Sequence, residues 1–166
     1  MNLYTNVESN TRKTWMYLAL FLVLVIAGGL AISYIMGSTI ILWFAVVLAI
    51  VMSVSSYWYS DKIVLSISKA KQIEKRDNPE LYRIVENLAI TAGLPMPRLY
   101  IIEDPQPNAF ATGRNADHGV VVVTKGLLDK LERVELEGVL AHELAHIGNR
   151  DILISTAVVV LVGIIM

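Results

Sequence analysis

From Thr14 to Ser60 the chain carries no Asp, Glu, Lys or Arg, a run of 47 residues bounded by Lys13 and Asp61. As one helix this run would be about 70 Å long, more than twice the ~30 Å hydrocarbon core of a bilayer, so it must fold back on itself. Gly37-Ser38 is the natural turn, which predicts one helix from Trp15 to Met36 and a second from Thr39 to Tyr59. Trp15 and Tyr17 stand at one outer end and Tyr57-Trp58-Tyr59 at the other. Amphipathic rings suit the headgroup region, so both ends belong at the same interface. A second charge-free stretch runs from Ile152 to Met166; its 15 residues span only about 22 Å as a helix. Ala157 to Met166 has no polar face, so the stretch reads as the start of a third transmembrane helix that continues beyond Met166, not as a buried core helix.

Between these regions the pattern changes. Residues 61–76 are charged and of ambiguous period. Asn78-Pro79-Glu80 then opens a helix, with Asn78 as cap and Pro79 at its first position. Leu81, Ile84, Val85, Leu88 and Ala92 recur at helical spacing, and Gly93 with Pro95 ends the run. Arg98 to Glu103 reads as a strand, Asp104 to Pro107 as a loop, and Asn108 to Gly113 as an extended segment. Asn115 to Gly119 is a turn and Val120 to Thr124 a β-branched strand. Two helices follow, Gly126 to Leu131 and Val134 to about Asn149. The expected fold is a membrane protein: a transmembrane helical hairpin, a small α+β domain, then the start of a further transmembrane helix.

Charge sharpens this division. Only 17% of the 166 residues are charged, against about 25% in an ordinary soluble domain. All 29 charges fall in the 104 residues outside the two apolar stretches, a normal density for a water-exposed domain. Arg12 and Lys13 precede the hairpin, Lys62, Lys69, Lys71, Lys75 and Arg76 follow it, and its turn has no basic residue. The positive-inside rule therefore makes residues 1–14 a cytoplasmic tail, 15–60 the hairpin, 61–151 a cytoplasmic domain and 152–166 the start of the next span. A cleaved signal peptide, with Gly29-Leu30-Ala31 as its cleavage site, is the competing pattern. The apolar run is too long for it, and a second span follows. A net charge of −1 with no basic block argues against nucleic acid as a partner. The absence of cysteine excludes disulfides, a thiolate metal site and a cysteine nucleophile.

Two of the three histidines lie in His142-Glu143-Leu144-Ala145-His146. On a helix, residues four apart lie about 40° apart in projection and one turn along the axis, so both imidazoles can converge on one Zn²⁺. Glu143 lies about 100° round from His142, where it can reach a water at the metal and take its proton. This chemistry demands both the residue types and the spacing, and the pattern arises by chance in well under ~1% of chains of this length. The uncharged flanks Val139-Leu140-Ala141 and Ile147-Gly148 place the motif on a buried helix and not on a solvated face. His142 and His146 are thus the candidate metal ligands and Glu143 the candidate catalytic base.

With these motifs in hand, the sequence resembles the HtpX-type membrane zinc metalloproteases, relatives of the CAAX prenyl endopeptidases. The resemblance rests on the hairpin, on Pro107 to Gly113, on Val121 to Leu128, and on Gly138 to His146 through Asn149-Arg150-Asp151. It implies a zincin-like domain and an endopeptidase of the prokaryotic inner membrane, multi-pass, with its active site facing the cytoplasm. Its partners would be the lipid bilayer and damaged or membrane-embedded polypeptides, and its role quality control under stress. It also implies Zn²⁺ held by His142 and His146, with Glu143 as base, and an edge strand at Asn108, Ala109, Phe110 and Ala111 that binds substrate as an added strand. The third zinc ligand it implies is a Glu beyond further hydrophobic segments, so these 166 residues are expected to be inactive alone. His118 is a substitute ligand or a turn residue, and Asp151 supports the site or merely ends the helix. The competing function is a non-catalytic membrane-anchored adaptor whose histidine helix is structural.

Overall fold

The computed structural model describes residues 3–155. Its first two elements, α1 (Leu3–Met36) and α2 (Thr39–Ile67), form the hairpin, and both are long and apolar enough to cross a membrane. Gly37 makes the turn in the left-handed region (φ 65°), and the Ser33 hydroxyl donates to the Ser38 carbonyl at 2.8 Å. Midway down the hairpin Gly29 lies against Ala45, where any side chain on Gly29 would overlap the Ala45 methyl. Small residues of this kind let two membrane helices approach closely. Trp15 stacks on Tyr57 with ring centroids 5.4 Å apart, so the two outer ends do meet at one level. Leu24, Ile35, Trp43 and Phe44 remain exposed on the outside of the hairpin, the surface that a bilayer covers.

Both helices outrun the apolar stretch. The region expected as a tail is helical from Leu3, and α2 continues past Asp61 to Ile67. A charge ends a membrane-embedded stretch but does not end a helix; here the stop is Lys69, which takes a left-handed conformation (φ 53°). At 34 residues, α1 is about 51 Å long, so its first turns project beyond any hydrocarbon core.

The soluble domain is a four-stranded sheet in the order β1-β2-β4-β3, made of β1 (Lys71–Ile73), β2 (Arg98–Ile102), β3 (Ala109–Thr112) and β4 (Val120–Thr124). β2 and β4 are parallel, and β1 and β3 run antiparallel to their neighbours. Three further helices complete it: α3 (Pro79–Ala92), α4 (Lys125–Lys130) and α5 (Arg133–Asn149). The valines of β4 explain its central place. Val121 and Val123 enter the core formed with Leu81, Val85, Leu140 and Leu144, whereas Val120 and Val122 pack on Leu65 of α2 and Phe110. A strand apolar on both faces needs cover on both, and the second cover comes from the extended end of α2.

Both ends of α3 match their sequence signals: the Asn78 side chain accepts from the Leu81 N–H at 3.1 Å, and Gly93 closes the helix at φ 66°. At the start of α5, where the pattern named no cap, Glu135 accepts from the Glu132 N–H at 2.9 Å. β1 is the element the pattern did not announce: Lys71-Gln72-Ile73 has no apolar alternation and becomes a strand by pairing with Leu99–Ile101. Residues 152–155 are helical, where a third apolar helix was expected to start; the rest of that expected span, 156–166, lies outside the described residues.

Candidate metal and catalytic centre

Helix α5 is oriented by Leu136, Leu140, Leu144 and Ile147, all buried and spaced by about one turn. Burying that stripe turns positions 142 and 146 to the opposite side, with 143 between the two faces. His142 is accordingly exposed, while Glu143 and His146 are half-buried. The two Nε2 atoms stand 3.1 Å apart, with the rings edge to face. Nitrogens at that separation can share one Zn²⁺ at ~2.0–2.1 Å with an angle near 100° at the metal, close to tetrahedral. The donor chemistry and spacing of these two side chains therefore fit zinc.

The orientation of His146 is set from behind. Its Nδ1 lies 2.9 Å from Oδ2 of Asp151. A carboxylate only accepts, so Nδ1 carries the proton and Nε2 keeps its lone pair for a metal. Five residues along a straight helix would not bring Asp151 back to His146. Arg150 does so by ending α5 in the left-handed conformation (φ 56°). Of the two readings of Asp151, the structure thus supplies a contact with a candidate ligand as well as a helix end.

Among the described residues the half-buried Glu143 carboxylate makes no side-chain hydrogen bond or ion pair. No third His, Asp, Glu or Cys joins His142 and His146 in a metal-holding group among the described residues. His118 is engaged elsewhere: Arg114 donates to its Nε2 at 2.7 Å, and its Nδ1 donates to the Asn115 side-chain oxygen at 2.7 Å. It is the turn residue of the two alternatives.

β3 lies at the sheet edge and packs beside α5, with Ala109 and Ala111 toward the helix layer and Phe110 toward Leu65. Asn108 precedes the strand, and both its backbone groups are taken by Thr124: its N–H donates to Oγ1 at 2.8 Å and its carbonyl accepts from the Thr124 N–H at 2.9 Å. By antiparallel alternation Ala109 and Ala111 then turn their backbone groups to the open edge.

One contact had no signal in the sequence. The Asn10 side chain, in the projecting start of α1, donates to the Asn149 carbonyl at 3.0 Å and ties the N-terminal helix to the end of α5. A partner 139 positions away leaves no trace in local pattern.

A paired-histidine helix backed by a carboxylate thus follows a hairpin of two helices long and apolar enough to cross a membrane. The family model of peptidase family M48 matches residues 75–166, and the chain belongs to that family. It is 53% identical over 137 residues to a protein named Protease HtpX homolog from Desulfatibacillum aliphaticivorans, covering 82% of this chain and 44% of that protein. It is 44% identical over 167 residues to a protein of the same name from Lactobacillus helveticus, covering 98% of this chain and 55% of that protein. A third, from Thermococcus sibiricus, is 53% identical over 137 residues. The resemblance to HtpX-type proteases is thereby borne out, and the chain spans about half the length of the curated relatives it matches.

Proposed function

We propose that this chain forms the N-terminal part of a membrane-anchored zinc endopeptidase that hydrolyses peptide bonds in membrane or misfolded proteins. The observation that carries the reading is the convergence of the His142 and His146 Nε2 atoms to 3.1 Å, with Nδ1 of His146 held by Asp151. His142 and His146 would hold the zinc, which would supply a Lewis acid to polarise the scissile carbonyl and acidify water. Glu143 takes the proton of the attacking water on its carboxylate and returns it to the leaving amine. Ala109 and Ala111 align an extended substrate along the open edge of β3 by main-chain hydrogen bonds, while Asn108 and Phe110 hold the strand to β4. The basic flanks of the hairpin support a cytoplasmic-facing domain, and the likeness to HtpX homologues supports a prokaryotic inner membrane as its site.

Catalytic zinc sites take three protein ligands and keep a position for water. The two imidazoles of α5 accordingly need a third ligand from elsewhere in the intact protein, and the 166 residues alone hold zinc weakly and cleave negligibly. The test uses the intact protein. One zinc per chain is expected, lost in His146→Ala. In Glu143→Gln zinc is retained while proteolysis falls by at least ~10²-fold, because the amide keeps the shape but cannot take a proton. Near-normal cleavage by Glu143→Gln refutes the assignment of the base, and a zinc-free active wild type refutes the whole reading.

A further inference from the structure

The sheet domain meets the outer end of the membrane hairpin in a cleft of about 320 Å³ that no residue of α5 lines. That is the small end of the ~300–1,000 Å³ typical of small-ligand sites. Three cations line it from three parts of the chain: Lys62 from α2, Arg98 from the start of β2, and Arg114 from the loop after β3. Only Asp61 opposes them, and it is committed to Arg98 at 2.8 Å. Lys62 and Arg114 have no carboxylate partner among the described residues; each instead lies over an aromatic ring. Lys62 Nζ is 5.4 Å from the centre of Tyr59, and the Arg114 guanidinium is 4.7 Å from that of Trp58. Arg114 also donates to His118 Nε2. A guanidinium has five N–H donors, so both arginines retain donors for a further acceptor.

Height in the membrane identifies that acceptor. Trp58 and Tyr59 close the charge-free run of α2, and Asp61 and Lys62 follow at once, so the cleft lies where hydrocarbon gives way to headgroups. A compact anion with several acceptor oxygens, at that depth, is a phosphate. We propose that this cleft binds the phosphate of an anionic phospholipid headgroup, held by Lys62, Arg98 and Arg114 and bordered by Trp58 and Tyr59. The lipid pins the sheet domain to the bilayer surface through strands and loops that lie 37 or more positions beyond the hairpin residues they meet.

The experiment places the intact protein in nanodiscs of phosphatidylcholine and phosphatidylglycerol in equal amounts and counts retained lipids by native mass spectrometry. Each basic residue beside an anionic surface is worth about fivefold, so the wild type should retain phosphatidylglycerol over phosphatidylcholine by at least that factor. The preference should fall by about fivefold in Lys62→Gln and in Arg114→Gln. It should persist in Lys130→Gln, an exposed lysine of α4 outside the cleft. Lys62 is exposed, so its variant leaves the packing intact, and circular dichroism checks the fold of Arg114→Gln. Excess inorganic phosphate should leave the retained phosphatidylglycerol unchanged. Its displacement by phosphate alone assigns the cleft to a free anion and overturns the lipid. Equal retention by wild type and both cleft variants overturns the site.

Discussion

Replacing Asp151 by alanine removes the acceptor at 2.9 Å from Nδ1 of His146 while leaving both candidate ligands in place. A hydrogen bond to a charged group contributes about 1.5–3 kcal/mol when well shielded. The two side chains here are 31% and 40% exposed, so water screens the pair and the lower end applies. About 1.5 kcal/mol corresponds to a little over tenfold in an equilibrium constant, within the 10–100-fold range seen when such supporting carboxylates are lost. Asp151→Ala in the intact protein should therefore bind zinc about tenfold more weakly, whereas Asp151→Asn, which keeps a neutral acceptor, should lose about threefold. Competition with a metal-buffering chelator measures both constants, and thermal unfolding without added zinc separates the effect from a loss of fold. Native zinc affinity in Asp151→Ala would refute the argument that this carboxylate sets the ligand geometry of His146.

The proposed cytoplasmic orientation predicts that cysteines introduced at the exposed positions Glu8 and Asp129 are both shielded from an impermeant thiol reagent in intact cells and labelled in inverted vesicles; external labelling at Asp129 contradicts it. Leu140 is fully buried between the sheet and α3, so Leu140→Ala should destabilise the domain by about 2–5 kcal/mol. Denaturant unfolding with a midpoint close to that of the native protein would show that the α5 core stripe is misassigned.

Much of this protein is legible along the chain because the governing physics is local. A charge-free run too long for one crossing forces a hairpin, and Gly37 supplies its turn whatever lies around it. Helical geometry brings positions 142 and 146 onto one side without reference to the rest of the fold, so the candidate metal-ligand pair and the glutamate beside it could be read directly. The capped helix from Pro79 and the valine strand from Val120 are local in the same sense.

The remainder depends on partners remote in sequence. β1 is a strand only because β2 offers an edge to a segment with no strand pattern of its own. The apolar boundary at Asp61 did not end α2, since a helix stops where its backbone leaves helical geometry and not where charge returns. Asp151 reaches His146 through a left-handed turn at Arg150, a conformation that costs a non-glycine residue energy and that composition does not advertise. Asn10 meets Asn149, and Arg98 and Arg114 meet Asp61 and Trp58, only once the hairpin and the sheet domain are packed together. Spacing along one helix specifies which side chains can share a metal; the support behind them and the cleft at the membrane surface arise from contacts whose closure cost only the assembled core offsets.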